Sequence, residues 1–195
     1  MVPSLAVPAA RLGTMTQTYT AFLRAINVGG RTVTMQRLRE LFEELGLARV
    51  RSYIQSGNVF FETEEADRAA LTARIEEHLE RALGYPVPAV LCTLDELEAI
   101  VAADPFAGIE VTPELRLCVL FLSEPLPAEL APPASSPKGD WDLVGATANA
   151  AFVVLHLQNG RLGGNPATLF GRAYAGTATS RFFHTTVKIL AAAKK

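Results

Sequence analysis

The sequence predicts an α+β fold of two subdomains packed as one compact unit, and three observations carry that prediction. Apolar residues alternate between short strand-like runs and helical spacing, in the order strand, helix, strand, strand, helix, strand over 19–93. Turn residues punctuate those runs, and a second, less regular set of the same parts fills 94–195. The chain of 195 residues is 49 % hydrophobic, enough for a buried core without a metal or disulfide staple, which rules out wholesale disorder.

Residues 19–26 (YTAFLRAI) are a strand by apolar content, and 27–31 (NVGGR) are a glycine turn. Met35, Leu38, Leu41, Phe42 and Leu45 share one helical face, with Thr34 as N-cap and Gly46 as the stop. Runs 50–55 and 58–62 around Ser56-Gly57 read as a tight hairpin. Leu71, Ile75, Leu79 and Leu83 place 64–83 on a second helix, whose Glu64, Glu65 and Asp67 suit the positive end of the helix dipole. Gly84 ends it, and 87–92 is the next strand. This βαββαβ order is the ferredoxin-like (α/β-plait) plan, two helices on one face of a four-stranded antiparallel sheet.

The second half begins with a helix over 95–103, where Thr93-Leu94-Asp95-Glu96 matches a capping box. A strand at 115–122, a proline-rich loop at 125–137 with one helical turn, and a hairpin of 141–146 with 151–157 follow. After a glycine-rich stretch at 160–165 come a short helix near 167–172 and a closing helix at 180–193. These are the parts of a second plait-like subdomain. Residues 1–18 hold one charge, Arg11, and two prolines, and read as a disordered leader with translation starting at Met1 or Met15.

Composition narrows the function. No apolar run is long enough for a membrane helix, and nothing resembles an export signal, so a cytoplasmic location is expected. Cys92 and Cys118 lie in apolar strand runs and read as buried free thiols. His78, His156 and His184 have no metal-ligand spacing, so no metal or cofactor is expected. There is no G-x-S-x-G elbow, P-loop or dinucleotide fingerprint. The net charge of −2 conceals segregation: bases outnumber acids over 19–61, acids dominate 62–142, and 143–195 contains no acid at all. The two basic segments make one positive surface if the fold brings them together, and otherwise scatter over solvated faces or pair with the acidic helices.

The motifs LRAINVGG (23–30) and SYIQSGNVFF (52–61), with Met35, Leu38 and Arg39 on the helix between, resemble a bacterial domain-of-unknown-function family, the one numbered sixteen ninety-seven. Asp104-Pro105-Phe106 resembles its mid-chain motif, and ATSRFFHTTVKIL (178–190) its closing helix. There Arg181, Thr185 and Lys188 match, whereas Phe182 and His184 stand in place of asparagines and Phe183 in place of a tryptophan. The resemblance covers about 19–192 and implies two α/β-plait subdomains; it brings no activity with it.

Three clusters are candidate ligand-binding sites. Asn27, Gly29, Gly30 and Arg31, preceded by Arg24 on the first strand, could bring backbone N–H groups and guanidinium forks to an anion, or simply make a turn with surface arginines. Gln55, Ser56 and Asn58 could orient a ligand or serve turn chemistry. Arg181, His184, Thr185 and Lys188 share a basic face of the closing helix, as a ligand surface or a solvated one. If the fold unites them, the expectation is a cleft between subdomains for a small anionic, phosphate- or nucleotide-like molecule, with the question of enzyme or binder open. The competing reading is a non-catalytic interaction module for protein or RNA. Phe22 with Phe60 or Phe61 could stack bases, but the aromatic signature of RNA-recognition strands is absent and nucleic acid is not expected as a partner.

Overall fold

A computed structural model describes residues 15–195. Of the leader expected over 1–18, residues 1–14 lie outside the described chain, and 17–18 already belong to the first strand. The first half comprises β1 (Gln17–Leu23), α1 (Met35–Glu43), β2 (Ala48–Tyr53), β3 (Asn58–Thr63), α2 (Arg68–Leu83) and β4 (Ala89–Thr93). Its antiparallel sheet has the order β2-β3-β1-β4. Strand alternation sends Tyr19, Ala21, Leu23, Val59 and Phe61 to one face, where Leu38, Leu41 and Phe42 of α1 and Leu71, Ile75 and Leu79 of α2 cover them. Thr34 caps α1 by accepting from Arg37 N–H at 3.1 Å.

The opposite face carries Phe22, Phe60, Val90 and Cys92 and is covered by the second half. That half comprises α3 (Leu94–Ala102), β5 (Leu115–Leu122), β6 (Ala134–Ser135), β7 (Trp141–Ala146), β8 (Ala150–His156), β9 (Ala178–Phe182) and α4 (Phe183–Ala193). Leu97 and Ile100 of α3, Ile189 and Leu190 of α4, and Val119, Phe121 and Phe152 of the second sheet complete the shared core. Phe22 and Phe121 stack with ring centres 3.7 Å apart. Phe22 and Phe60 are therefore buried between two sheets, and neither ring can receive a base. This removes the sheet-face RNA surface considered from sequence.

The second antiparallel sheet has the order β6-β7-β8-β5-β9. Apart from the two-residue β6, it repeats the first sheet strand for strand. One-turn 3-10 helices (Ala128–Leu130, Pro166–Thr168 and Gly171–Ala173) occupy the connections where α1 and α2 stand in the first half. Prolines and glycines in these connections prevent longer helices. The outer face of this sheet, with Leu120, Leu143, Val153 and Leu155, is covered by Leu130, Leu162, Phe170 and Tyr174.

Several boundaries differ from expectation. The first strand ends at Leu23, so Arg24 lies beyond it, and Ala25 and Asn27 adopt left-handed backbone with φ of 59° and 53°. Helix α2 starts at Arg68 and not at 64, because Asp67 caps it by accepting from Ala70 N–H at 3.0 Å. The short helix near 167–172 is two separate 3-10 turns. The largest difference is at the carboxy end. Residues 178–182 pair with β5 as strand β9, and the closing helix begins only at Phe183. A run carrying Thr179 and Phe182 beside an open strand edge gains more from pairing than from extending a helix. Among the described residues, no helix is long and apolar enough to cross a membrane.

Candidate functional site

The β2–β3 turn, β9 and the start of α4 meet at the junction of the two sheets. Gly57 makes the meeting possible: its φ is +72°, and a Cβ there would stand 3.0 Å from Leu23 Cβ and 3.2 Å from Ile26 Cβ. The next residue, Asn58, is completely buried. Its Nδ2 donates to Tyr53 O at 3.1 Å and to Ser56 Oγ at 2.9 Å, while Oδ1 accepts from Arg181 Nε at 2.7 Å.

Arg181 reaches this turn from β9. One terminal nitrogen donates to Thr179 Oγ1 at 3.0 Å and Ser180 O at 2.8 Å; the other donates to Ser56 O at 2.9 Å and Leu23 O at 3.4 Å. All five N–H groups of the guanidinium are thus engaged. Every acceptor is neutral, and the group lies 5.4 Å from the centre of the Phe22 ring. Burial pulls its pKa down to about 10, so it remains a cation at neutral pH without a carboxylate beside it.

The placement of Arg181 on β9 corrects the expectation of a four-residue helical face; only His184, Thr185 and Lys188 lie on α4. A cavity of about 260 Å³ opens here, lined by Ile54, Ser56, Pro166, Arg181, Phe182 and Thr185 among others. The Thr185 hydroxyl has no hydrogen-bond partner among the described residues, and Ser56 Oγ, an acceptor toward Asn58, keeps its own hydrogen to donate. His184 is exposed, its ring 5.9 Å from that of Phe182, and Lys188 is exposed on α4.

Among the described residues, the hydrogen bonds that join the glycine turn to this assembly are made by Asn27. Its Oδ1 accepts from Val33 N–H at 2.8 Å, and its Nδ2 donates to Gln55 O at 3.1 Å. Asn27 and Gln55 therefore brace two turns against each other. Gly29, Gly30 and Arg31 are exposed and do not line the cavity; the Arg31 guanidinium lies 4.4 Å over the Tyr85 ring. Arg24 is half-buried and also absent from the lining. Local spacing does not single out Thr179, Phe182 or Cys118: Phe182 falls inside the helix expected over 180–193, Thr179 just before it, and Cys118 reads as core. Cys118 lines the cavity, but burial pushes its thiol up to about 12, so it is no ready nucleophile. Burial likewise pushes the Cys92 thiol upward. Among the described residues, no group of three histidine, cysteine or acidic side chains could hold a metal.

Comparison with known proteins gives two positive findings. A family model described as a protein of unknown function (DUF1697) matches residues 15–152, from the first strand into β8. Among solved structures, the chain is similar to the conserved bacterial protein SP0830 from Streptococcus pneumoniae. The two are 25 % identical with a TM-score of 0.70, over 93 % of this chain and 100 % of that one. No curated protein matches the chain.

Proposed function

This chain belongs to the DUF1697 family, and we propose that it binds a small anionic, phosphate-like ligand in the cavity between the β2–β3 turn and the start of α4. The observation that carries this reading is Arg181, a half-buried cation whose every hydrogen-bond acceptor is neutral. A positive centre without a counter-charge, in surroundings of reduced dielectric, attracts an anion more strongly than the same charge on the surface. Arg181 acts as fixed charge, since its donors are spent on the protein. The Ser56 and Thr185 hydroxyls supply direct donors, and His184 and Lys188 add exposed basic groups on the same helix as Thr185, outside the lining. Gly29, Gly30, Arg31 and Arg24 are left out of the ligand set. In this reading the halves are two ferredoxin-like subdomains, the second with its helices reduced to single turns, and the site lies at their junction. The two buried free thiols suit a reducing, cytoplasmic setting.

The test is a thermal-shift panel of inorganic phosphate, pyrophosphate, AMP and ATP on the wild type, Thr185→Val and Lys188→Ala. A ligand at about 100 times its Kd stabilises by about 2.7 kcal/mol, a shift of about 5 °C or more in a chain of this size. At least one of these anions is expected to produce that shift in the wild type and less than half of it in the variants. No shift with any of them, or equal shifts in the variants, contradicts the reading.

A further inference from the structure

A larger groove, of about 680 Å³, runs along the outer edge of β4. Helix α2 forms one wall, and residues 122–125 and 147–149 of the second half form the other. Backbone parity shows what the edge presents. In an antiparallel ladder each residue points its N–H and C=O to the same side, and successive residues alternate. Leu23 N–H donates to Gly57 O at 2.8 Å, so Tyr19, Ala21 and Leu23 point toward β3, while Thr20 and Phe22 point toward β4. Their partners Cys92 and Val90 point back, which leaves Ala89, Leu91 and Thr93 pointing outward.

Two of these three outward N–H groups are closed by glutamates. Ala89 N–H donates to Glu76 Oε1 at 2.7 Å, and Thr93 N–H donates to Glu96 Oε2 at 2.8 Å. Leu91, between them and only 3 % exposed, has no such partner among the described residues. A second unsatisfied group lies on the facing wall: Asn149 Nδ2 is buried without an acceptor. Buried amide groups are rarely left unpaired, and here two of them border the same space.

We propose that this groove takes a short extended peptide carrying lysine or arginine, added as a fifth strand along β4. The paired N–H and C=O of Leu91 are what an incoming antiparallel residue requires. Ala69 and Ala73 are exposed on the α2 wall and leave room for its side chains. The two glutamate plugs are four residues apart, so the open stretch is about 13 Å long and fits a segment of a few residues. Glu76, Glu96 and Glu124 border the groove against a single base, Arg68, which is already paired with Glu96 at 2.8 Å. A basic peptide complements that balance. The plugs also keep the edge from pairing with long strands indiscriminately.

A phage-displayed library of random heptapeptides, selected against the full chain, tests this. Enriched peptides are then measured by fluorescence anisotropy on wild type, Ala73→Trp and Leu91→Pro. The tryptophan fills the groove from an exposed helical position. The proline removes the outward N–H and leaves the ladder to β1 intact. Enriched sequences are expected to carry lysine or arginine, and their Kd to rise about tenfold or more in both variants. Circular dichroism melts check that each variant is folded, and Ala73→Trp decides the matter if Leu91→Pro is not. Failure to enrich any peptide, or peptides that bind Ala73→Trp as tightly as wild type, overturns the proposal.

Discussion

Arg181 shares its five N–H groups among acceptors from β1, the β2–β3 turn, the start of β3 and its own strand, so one side chain ties the first sheet to the second. Replacing it by methionine strands the buried Asn58 Oδ1 and three backbone carbonyls, those of Leu23, Ser56 and Ser180. We expect urea unfolding to show a loss of about 2–4 kcal/mol. Arg181→Lys should recover only part of this, because an ammonium has three donors and no fork. Gly57→Ala should lose about 1–3 kcal/mol by the same measurement, from its left-handed backbone and the crowding against Leu23. At this scale the sequence was only partly legible. Glycine at 57 and asparagines at 27 and 58 mark turns through chemistry that is local. The role of Arg181 was hidden, because its acceptors on the first half lie more than a hundred residues away and nothing in local spacing reports them.

Individual elements were readable where their signals were local. Thr93 accepts from Glu96 N–H at 3.1 Å while Glu96 accepts from Thr93 N–H at 2.8 Å, the reciprocal cap expected from Thr-Leu-Asp-Glu. Thr93→Ala should therefore lower stability by about 1 kcal/mol in urea melts. Strand β9 was not readable, since its pairing with β5 decides between strand and helix. The β7–β8 hairpin supplies a pH dependence. Asp142 accepts from Ser135 Oγ at 2.5 Å and lies 2.6 Å from His156 Nε2, and these two contacts hold its carboxyl below the ordinary carboxylate value of 3.8. A depressed carboxyl contributes stability above its unfolded pKa and loses it as pH falls through the folded one. Asp142→Asn should thus melt below wild type above the ordinary carboxylate value, and the gap should narrow as the pH falls below it.

For the whole molecule, the two halves bury each other. The second half covers the sheet face that carries Phe22, Phe60, Val90 and Cys92, which would otherwise be bare, and α3 and α4 are wedged into the same layer. The βαββαβ order of the first half was legible from alternating periods of apolar residues. The matching strand order of the second half was harder to see, because its connections are proline- and glycine-rich turns with no helical period. That two glycine-bearing motifs near the start meet the closing segment was an expectation. The meeting is made through Asn58, Ser56 and Leu23, and the exposed turn at 29–31 stays outside it.

The most direct test of an anion site built around Arg181 is a titration of nitrogen-15-labelled protein with pyrophosphate, followed through the Arg181 Nε–H signal and the amides of Ser56 and Thr185. The account predicts saturable shifts that concentrate at these three positions. Shifts confined to Gly29, Gly30 and Arg31, or none at any pyrophosphate concentration, would contradict it.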